Sequence, residues 1–333
     1  MKKASILMPS DFYNKNRLFD LNDKISNRDN CLYPYSLLKN RLLEKGYLLA
    51  TSDIHDPSES DIVFYNEMPK KFPLKSEKNK SYLFLFESEL IRPDNWDQKK
   101  HRFFNKIFTW NDAFVDKEKY IKFNFPNKVS LPKEAIVKKK LCTLVAGNKK
   151  SNHNLELYSK RVDAIRWFEK NHPDDFDFYG IGWDAYQFVG PKYIKALNRI
   201  KPLCKLFTPT FLSYKGKVEN KKDVLEQYKF VICFENARDI PGYITEKIFD
   251  CFFSGCVPIY WGANNIKDHI PSECFIDFTD FNSYEELYKY ISSMSSSRYE
   301  SYLENIADYL ESDLIHAFSA EGFVDTVMGN IYE

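Results

Sequence analysis

The sequence predicts a two-domain α/β protein in which each half is an open, largely parallel sheet covered by helices, with one cleft between the halves. Three observations carry this. The chain has 333 residues, beyond the roughly 100 to 200 that one core usually serves. Short β-prone runs alternate with helical ones through both halves. Between Phe125 and Lys140 the text becomes "FPNKVSLPKEAIVKKK", rich in lysine and broken by proline, and strand-like text then restarts. The expected division is 1–135 and 136–310, with 311–333 as a helical tail packing back on the body.

The opening "MKKASILMPSDFY" imitates a secretory signal, but its apolar segment stops at Met8 and charge returns at Asp11, so Ala4 to Met8 reads as the first strand. "YSLLKNRLLEKGY" sets Leu37, Leu38, Leu42 and Leu43 on one helical face, with Ser36 as N-cap and Gly46 just past the end. "YLLATS", "DIVFYNE" and "SYLFLFE" are short buried strands, the last ending at Glu87. In the second half "LCTLVAGN" is a strand, "NLELYSKRVDAIRWFEK" an amphipathic helix, and "FDFYGIGW" a strand closing in a glycine turn. "VLEQYKF" leads into the strand "VICFEN", a polar cluster, the apolar helix "KIFDCFFSG" and the strand "CVPIYWG", a β-loop-α-β unit. "NSYEELYKYISSM" has Ser283 and Glu286 at capping-box spacing, and two further helical segments close the chain.

Composition narrows the function classes. A hydrophobic share of 44% supports a large core and argues against disorder. Lys plus Arg (48) nearly cancels Asp plus Glu (47), so no global field recruits nucleic acid. Seven cysteines, mostly among apolar neighbours, suit a reducing cytoplasm. No Cys-x-x-Cys pair and no histidine spacing suggests a structural zinc. No run of 18 apolar residues occurs, so any membrane association is expected to be peripheral.

The polar cluster Asn236, Tyr243, Thr245, Glu246 and Lys247 lies between two apolar runs, at the carboxyl end of a strand and the start of a helix. Ligands of doubly wound sheets bind there, where helix N-termini offer unpaired N–H groups. Thr245 is placed to cap the helix. An anion at its first turn would be held by backbone donors and the Lys247 ammonium, and a diphosphate suits that role. Glu246 is suited to ribose hydroxyls, Tyr243 to packing on a sugar or base, and Asn236 to either side of a hydrogen bond. The alternative is an ordinary solvated helix start. Against it stands the cation in the first turn, which opposes the helix dipole unless an anion compensates.

The stretch "YKFVICFENARDIPGYITEKIFDCFFSGCVPIYWG" closely resembles the donor-site signature of glycosyltransferase family 10, the α-1,3/4-fucosyltransferases, in its bacterial form. "LCTLVAGNKKS", "FDFYGIGW", "NNIKDHIPSECFIDFTDF" and, in the first half, "FLFESE" resemble neighbouring family segments, so the likeness runs from about residue 82 to 291. It implies a GT-B architecture, two Rossmann-like domains facing a central cleft. It also implies inverting transfer of fucose from GDP-β-L-fucose to a glycan acceptor of N-acetyllactosamine type, with no cofactor required. Carried over by position, Glu87 is the general base. Asn236, Tyr243, Glu246 and Lys247 bind the nucleotide, with Asn148 beside them. Where some members carry an arginine for the diphosphate, this chain has lysines: Lys217, or Lys215 in its place, with Arg161 and Arg238 as weaker candidates.

A carboxylate ending the apolar run "YLFLF" is expected to have its pKa raised by desolvation, which would make Glu87 a better base. Asp175 to Asp177, "DFD", formally match a metal-binding Asp-x-Asp, but they open a strand, so a divalent ion is not demanded. Trp110 and Asp112 are acceptor-side candidates, a core or loop role being the alternative. Another GDP-sugar as donor, and a non-catalytic GDP- or glycan-binding module, remain the competing readings.

Overall fold

The computed structural model describes residues 1–132, 137–186, 188 and 190–331; the expected domain boundary at 135/136 lies outside the described residues. The first sheet comprises β1 (Lys2–Leu7), β2 (Tyr47–Thr51), β3 (Ile62–Asn66), β4 (Ser81–Leu85), β5 (Ile107–Thr109) and β6 (Tyr120–Lys122). Its order is β2-β1-β3-β4-β5-β6, parallel throughout. The second comprises β7 (Lys140–Val145), β8 (Phe176–Tyr179), β9 (Tyr228–Phe234), β10 (Val257–Trp261) and β11 (Ile276–Asp277), in the order β11-β10-β9-β7-β8, also parallel. Such strands are covered on both faces and so read as unbroken apolar runs; β3 and β4 are buried at every position. The strands β5, β6 and β11 escape sequence reading because two or three residues carry no period.

Helices α1 (Tyr33–Glu44) and α2 (Gln98–His101) belong to the first half. The second carries α3 (Tyr158–Asn171), α4 (Lys192–Ala196), α5 (Lys201–Leu206), α6 (Lys221–Leu225), α7 (Glu246–Phe253), α8 (Tyr284–Ser292) and α9 (Ser296–Glu311). The last helix, α10 (Ala320–Asn330), crosses back onto the first sheet. There the Phe323 ring lies 5.5 Å from Phe84 and 6.0 Å from Phe123, and Tyr82 donates to the Ile331 carbonyl.

Two local expectations are corrected. Helix α1 starts at Tyr33 with Pro34 in its first turn, so Ser36 lies inside the helix and caps nothing. Its buried stripe is Pro34, Leu38 and Leu42, while Leu43 is 48% exposed. By contrast, Ser283 caps α8, accepting from the Glu286 N–H.

Strand order reverses beside β1 in the first sheet and beside β7 in the second. Loops leaving the carboxyl ends of the strands flanking a reversal diverge and open a crevice. Those loops begin at Met8 and Glu67 in one half and at Ala146 and Glu235 in the other, and all four line the cleft or hold its walls. The halves are clasped by the turn after β9. Asp112 N–H donates to the Pro241 carbonyl, and the Asp112 carboxylate accepts from Asn265 and meets His269 at 2.8 Å. Gly242 has φ +79°, and a Cβ there would come within 2.2 Å of the Trp110 carbonyl, so only glycine permits this approach.

Phe323→Ala empties a site 2% exposed beneath α10 and should lower unfolding free energy by about 3–5 kcal/mol, read from urea denaturation. A loss below about 1 kcal/mol would show that α10 does not belong to the cooperative unit.

Candidate active site

Two joined cavities, of about 750 and about 240 Å³, make up the cleft. The larger is bounded by Pro9, Glu67 and Glu87 of the first half, and the smaller by Gly147, Lys149, Asn236 and Lys247 of the second. Arg28, Lys221, Glu246 and Asp250 line both, so the space is continuous.

Strand β9 delivers Glu235 into the interior, where it is fully buried. A buried carboxylate must be compensated. Glu235 accepts from the Thr245 N–H (2.8 Å), the Thr245 hydroxyl (2.8 Å) and Lys247 Nζ (2.9 Å). Thr245 does occupy the N-cap position of α7, but its hydroxyl is spent on Glu235 and caps no backbone N–H, which corrects the expected role. The first-turn donors of α7 thus receive no side-chain cap. Burial pushes the Lys247 ammonium down, but Glu235 and Glu246 outweigh it and hold it charged well above its ordinary range. Glu246 stays half-exposed in both cavities. Burial raises its carboxyl, yet Lys247 and Lys221 bring it down to about 2.

Glu87 lies two residues past the end of β4. Its backbone is clamped: its N–H and that of Phe86 donate to Glu67 Oε1, its carbonyl accepts from Asn95 and Trp96, and the Phe86 carbonyl accepts from Trp110. Among the described residues its carboxylate carries no hydrogen bond or ion pair. Burial pushes that carboxyl up, and Lys149 and Lys247 pull against the shift without cancelling it.

Other candidates have different surroundings from those expected. Tyr243 is 1% exposed; its ring lies 4.7 Å from Trp110 and 6.2 Å from Phe125, so no face is open for stacking on a sugar or base. Trp110 is equally buried, and Asp112 is engaged by Lys122, Asn265 and His269, so both serve the clasp between the halves. Asn236 lines the smaller cavity while accepting from Arg161 at 3.1 Å. Asn148 donates to the Gly182 carbonyl and ties a turn. Lys217 is exposed and lines neither cavity, Lys215 reaches Asp177, and Arg238 pairs with adjacent Asp239. Asp175 accepts from Tyr288, and Asp177 from Tyr228 with Lys140 at 2.7 Å.

Three residues were missed. Lys221 bridges Asp250 (2.8 Å) and, from the other half, Asp29 (3.5 Å), and lines both cavities. Its signal was Asn220, the N-cap of the short helix before β9. Lys149 adjoins Asn148, in the loop after the strand bordering the reversal. Glu67 is 4% exposed with φ +73°, a backbone state uncommon outside glycine and frequent at functional sites. Burial, joined by the neighbouring Glu87 charge, pushes its carboxyl up to about 7.

Residues 187–318 match the profile of glycosyltransferase family 10 (fucosyltransferase), C-terminal part. An α-(1,3)-fucosyltransferase from Helicobacter pylori is 39% identical over 138 residues, 37% of this chain and 28% of that protein. Alpha-(1,3)-fucosyltransferase B from Drosophila melanogaster is 37% identical over 250 residues, 73% of this chain and 48% of that protein. The chain thus spans less than half the length of these curated relatives. Among solved structures, an α1,3-fucosyltransferase crystallised with GDP-fucose aligns with a TM-score of 0.56 at 16% identity, over 100% of this chain and 90% of that one. T4 phage BGT, solved with UDP and Mn²⁺, aligns with a TM-score of 0.56 at 15% identity over 100% of both chains. These likenesses show the fold, GT-B, with two Rossmann-like domains.

Glu67 carries a pH dependence whose sign follows from burial. Its folded-state pKa near 7 exceeds the ordinary 4.5, so the folded protein holds that proton more tightly than the unfolded chain. Its contribution is greatest below about pH 4.5 and is lost as pH rises through 7, a swing on the order of 3 kcal/mol. Glu67→Gln should flatten this fall, measured by urea unfolding at several pH values; an unchanged slope would assign the dependence elsewhere.

Proposed function

As this chain belongs to glycosyltransferase family 10, the fucosyltransferases, we propose that it is an inverting fucosyltransferase moving L-fucose from GDP-β-L-fucose to a glycan hydroxyl, O3 of GlcNAc in an acceptor of N-acetyllactosamine type. One observation supports this above the others. An acid of the first half, raised by burial and without a partner among the described residues, shares a continuous cleft with a helix start that presents Lys247, Glu246 and N–H groups without a side-chain cap.

In this reading Glu87 takes the acceptor proton as its oxygen attacks the anomeric carbon on the face opposite the nucleotide. The bond from that carbon to the β-phosphate oxygen breaks, and GDP departs with the electron pair. Charge growing on GDP is met by Lys247 and Lys221, with the first-turn donors of α7. Glu246, ionised and half-exposed, accepts from ribose hydroxyls. Tyr243 contributes by seating the turn that carries these groups. Acceptor contacts fall to the larger cavity. All seven cysteines are free and six are buried, which suits a reducing cytoplasm. Among the described residues no helix is long and apolar enough to cross a membrane.

Incubation with labelled GDP-fucose and N-acetyllactosamine-type acceptors, followed by linkage analysis, tests the reaction. Transfer from a different GDP-sugar, or GDP binding without turnover, would overturn it. Glu87→Gln should lower turnover about 10²- to 10⁴-fold and leave GDP affinity nearly intact; retained turnover would remove Glu87 from the role of base. Lys247→Ala should weaken GDP binding tenfold or more by calorimetry. It should also destabilise the fold by about 3–5 kcal/mol, because Glu235 is left buried without its cation. Unchanged GDP affinity in the folded variant would refute the placement.

A further inference from the structure

Between Asp184 and Glu219 the chain holds seven lysines and arginines and no carboxylate, although the whole protein carries only +1. This stretch contains α4 and α5, which form a small hairpin held by its own bonds. Tyr186 N–H donates to the Cys204 carbonyl and Thr208 hydroxyl, and Phe188 exchanges two hydrogen bonds with Asn198. Cys204 is buried, and Ile194, Leu197 and Leu203 are half-buried, so the hairpin has an interior of its own.

Its outer side is apolar as well. Tyr193 is 74% exposed, Leu206 77%, Phe207 55%, Leu212 78% and Ile200 49%. Lys192, Lys195, Arg199, Lys201 and Lys205 are exposed among them. Large apolar side chains interleaved with cations that have no acidic partner among the described residues match neither a core nor an ordinary solvated surface. We propose that the hairpin 190–212 is a docking element for an anionic lipid surface, its lysines on the headgroups and Leu206, Phe207 and Leu212 entering the acyl boundary. Charge decides between occupants. A second copy would set like charge against like, and a nucleic acid would leave the aliphatic side chains in water. Ile181 and Gly180, at the root of the hairpin, line the smaller cavity, so docking holds the cleft beside the membrane. The inference does not rest on the reaction proposed above.

The test is co-sedimentation of the full chain with phosphatidylcholine vesicles, with and without phosphatidylglycerol. Binding is expected only with the anionic lipid and should weaken with salt. Replacing Lys192, Lys195, Lys201 and Lys205 by Gln should reduce it at least about a hundredfold at low salt. Leu206→Ser with Phe207→Ser should reduce it about tenfold or more. Unchanged circular dichroism and thermal midpoint show that both variants are folded. No vesicle binding overturns the proposal. So does binding that survives both variants, or binding that the serine pair leaves intact while an RNA duplex displaces the vesicles.

Discussion

The buried charge of Glu235 is the constraint on which the cleft depends. A carboxylate with no access to water must gather donors, and the three it gathers come from Thr245 and Lys247, ten and twelve residues on. Those bonds pull the chain from the end of β9 to the start of α7 into one shape. Close approach requires Gly262 alongside, since a Cβ there would lie 2.5 Å from Glu235 Cγ. The lysine is thereby set at the helix mouth, and the intervening turn is pushed out against the other half, where Gly242 fits over the Trp110 carbonyl.

The first half answers with a second buried acid. Glu67 spends one oxygen on two consecutive backbone N–H groups and the other on Asn95, which also accepts from the Met68 N–H. The loop carrying Glu87 is thus held from both sides of its backbone while its own carboxylate is left without a partner among the described residues. A group kept desolvated yet unpaired is poised to take a proton, and one already bridged to a cation is not. The two halves are complementary in this respect: a buried acid fixes the backbone in each, and Glu87 of one half lines a space shared with Lys247 of the other.

Much of this was legible in the residues. Apolar runs gave most strands because parallel strands covered on both faces leave no other pattern, and the cluster from Asn236 to Lys247 marked the helix start. What escaped reading was partnership. Tyr243 looks like a ligand-stacking ring until Trp110, more than a hundred residues earlier, is found against it. Asp112 looks like an acceptor contact until Asn265 and His269 cover it. Lys217 and Lys221 are equivalent as text, and only the second is bracketed by Asp29 and Asp250.

By itself, the sequence determined the longer strands, the helices α3, α7 and α8, the α/β character of both halves, and that a cation stands in the first turn of α7. These follow from local chemistry: side-chain period, chain-breaking residues and the helix dipole all act within a few positions. Only the tertiary structure decided which polar side chains are consumed by packing and which are left facing the cleft. That depends on neighbours brought together across both sheets, whose identity no local pattern carries.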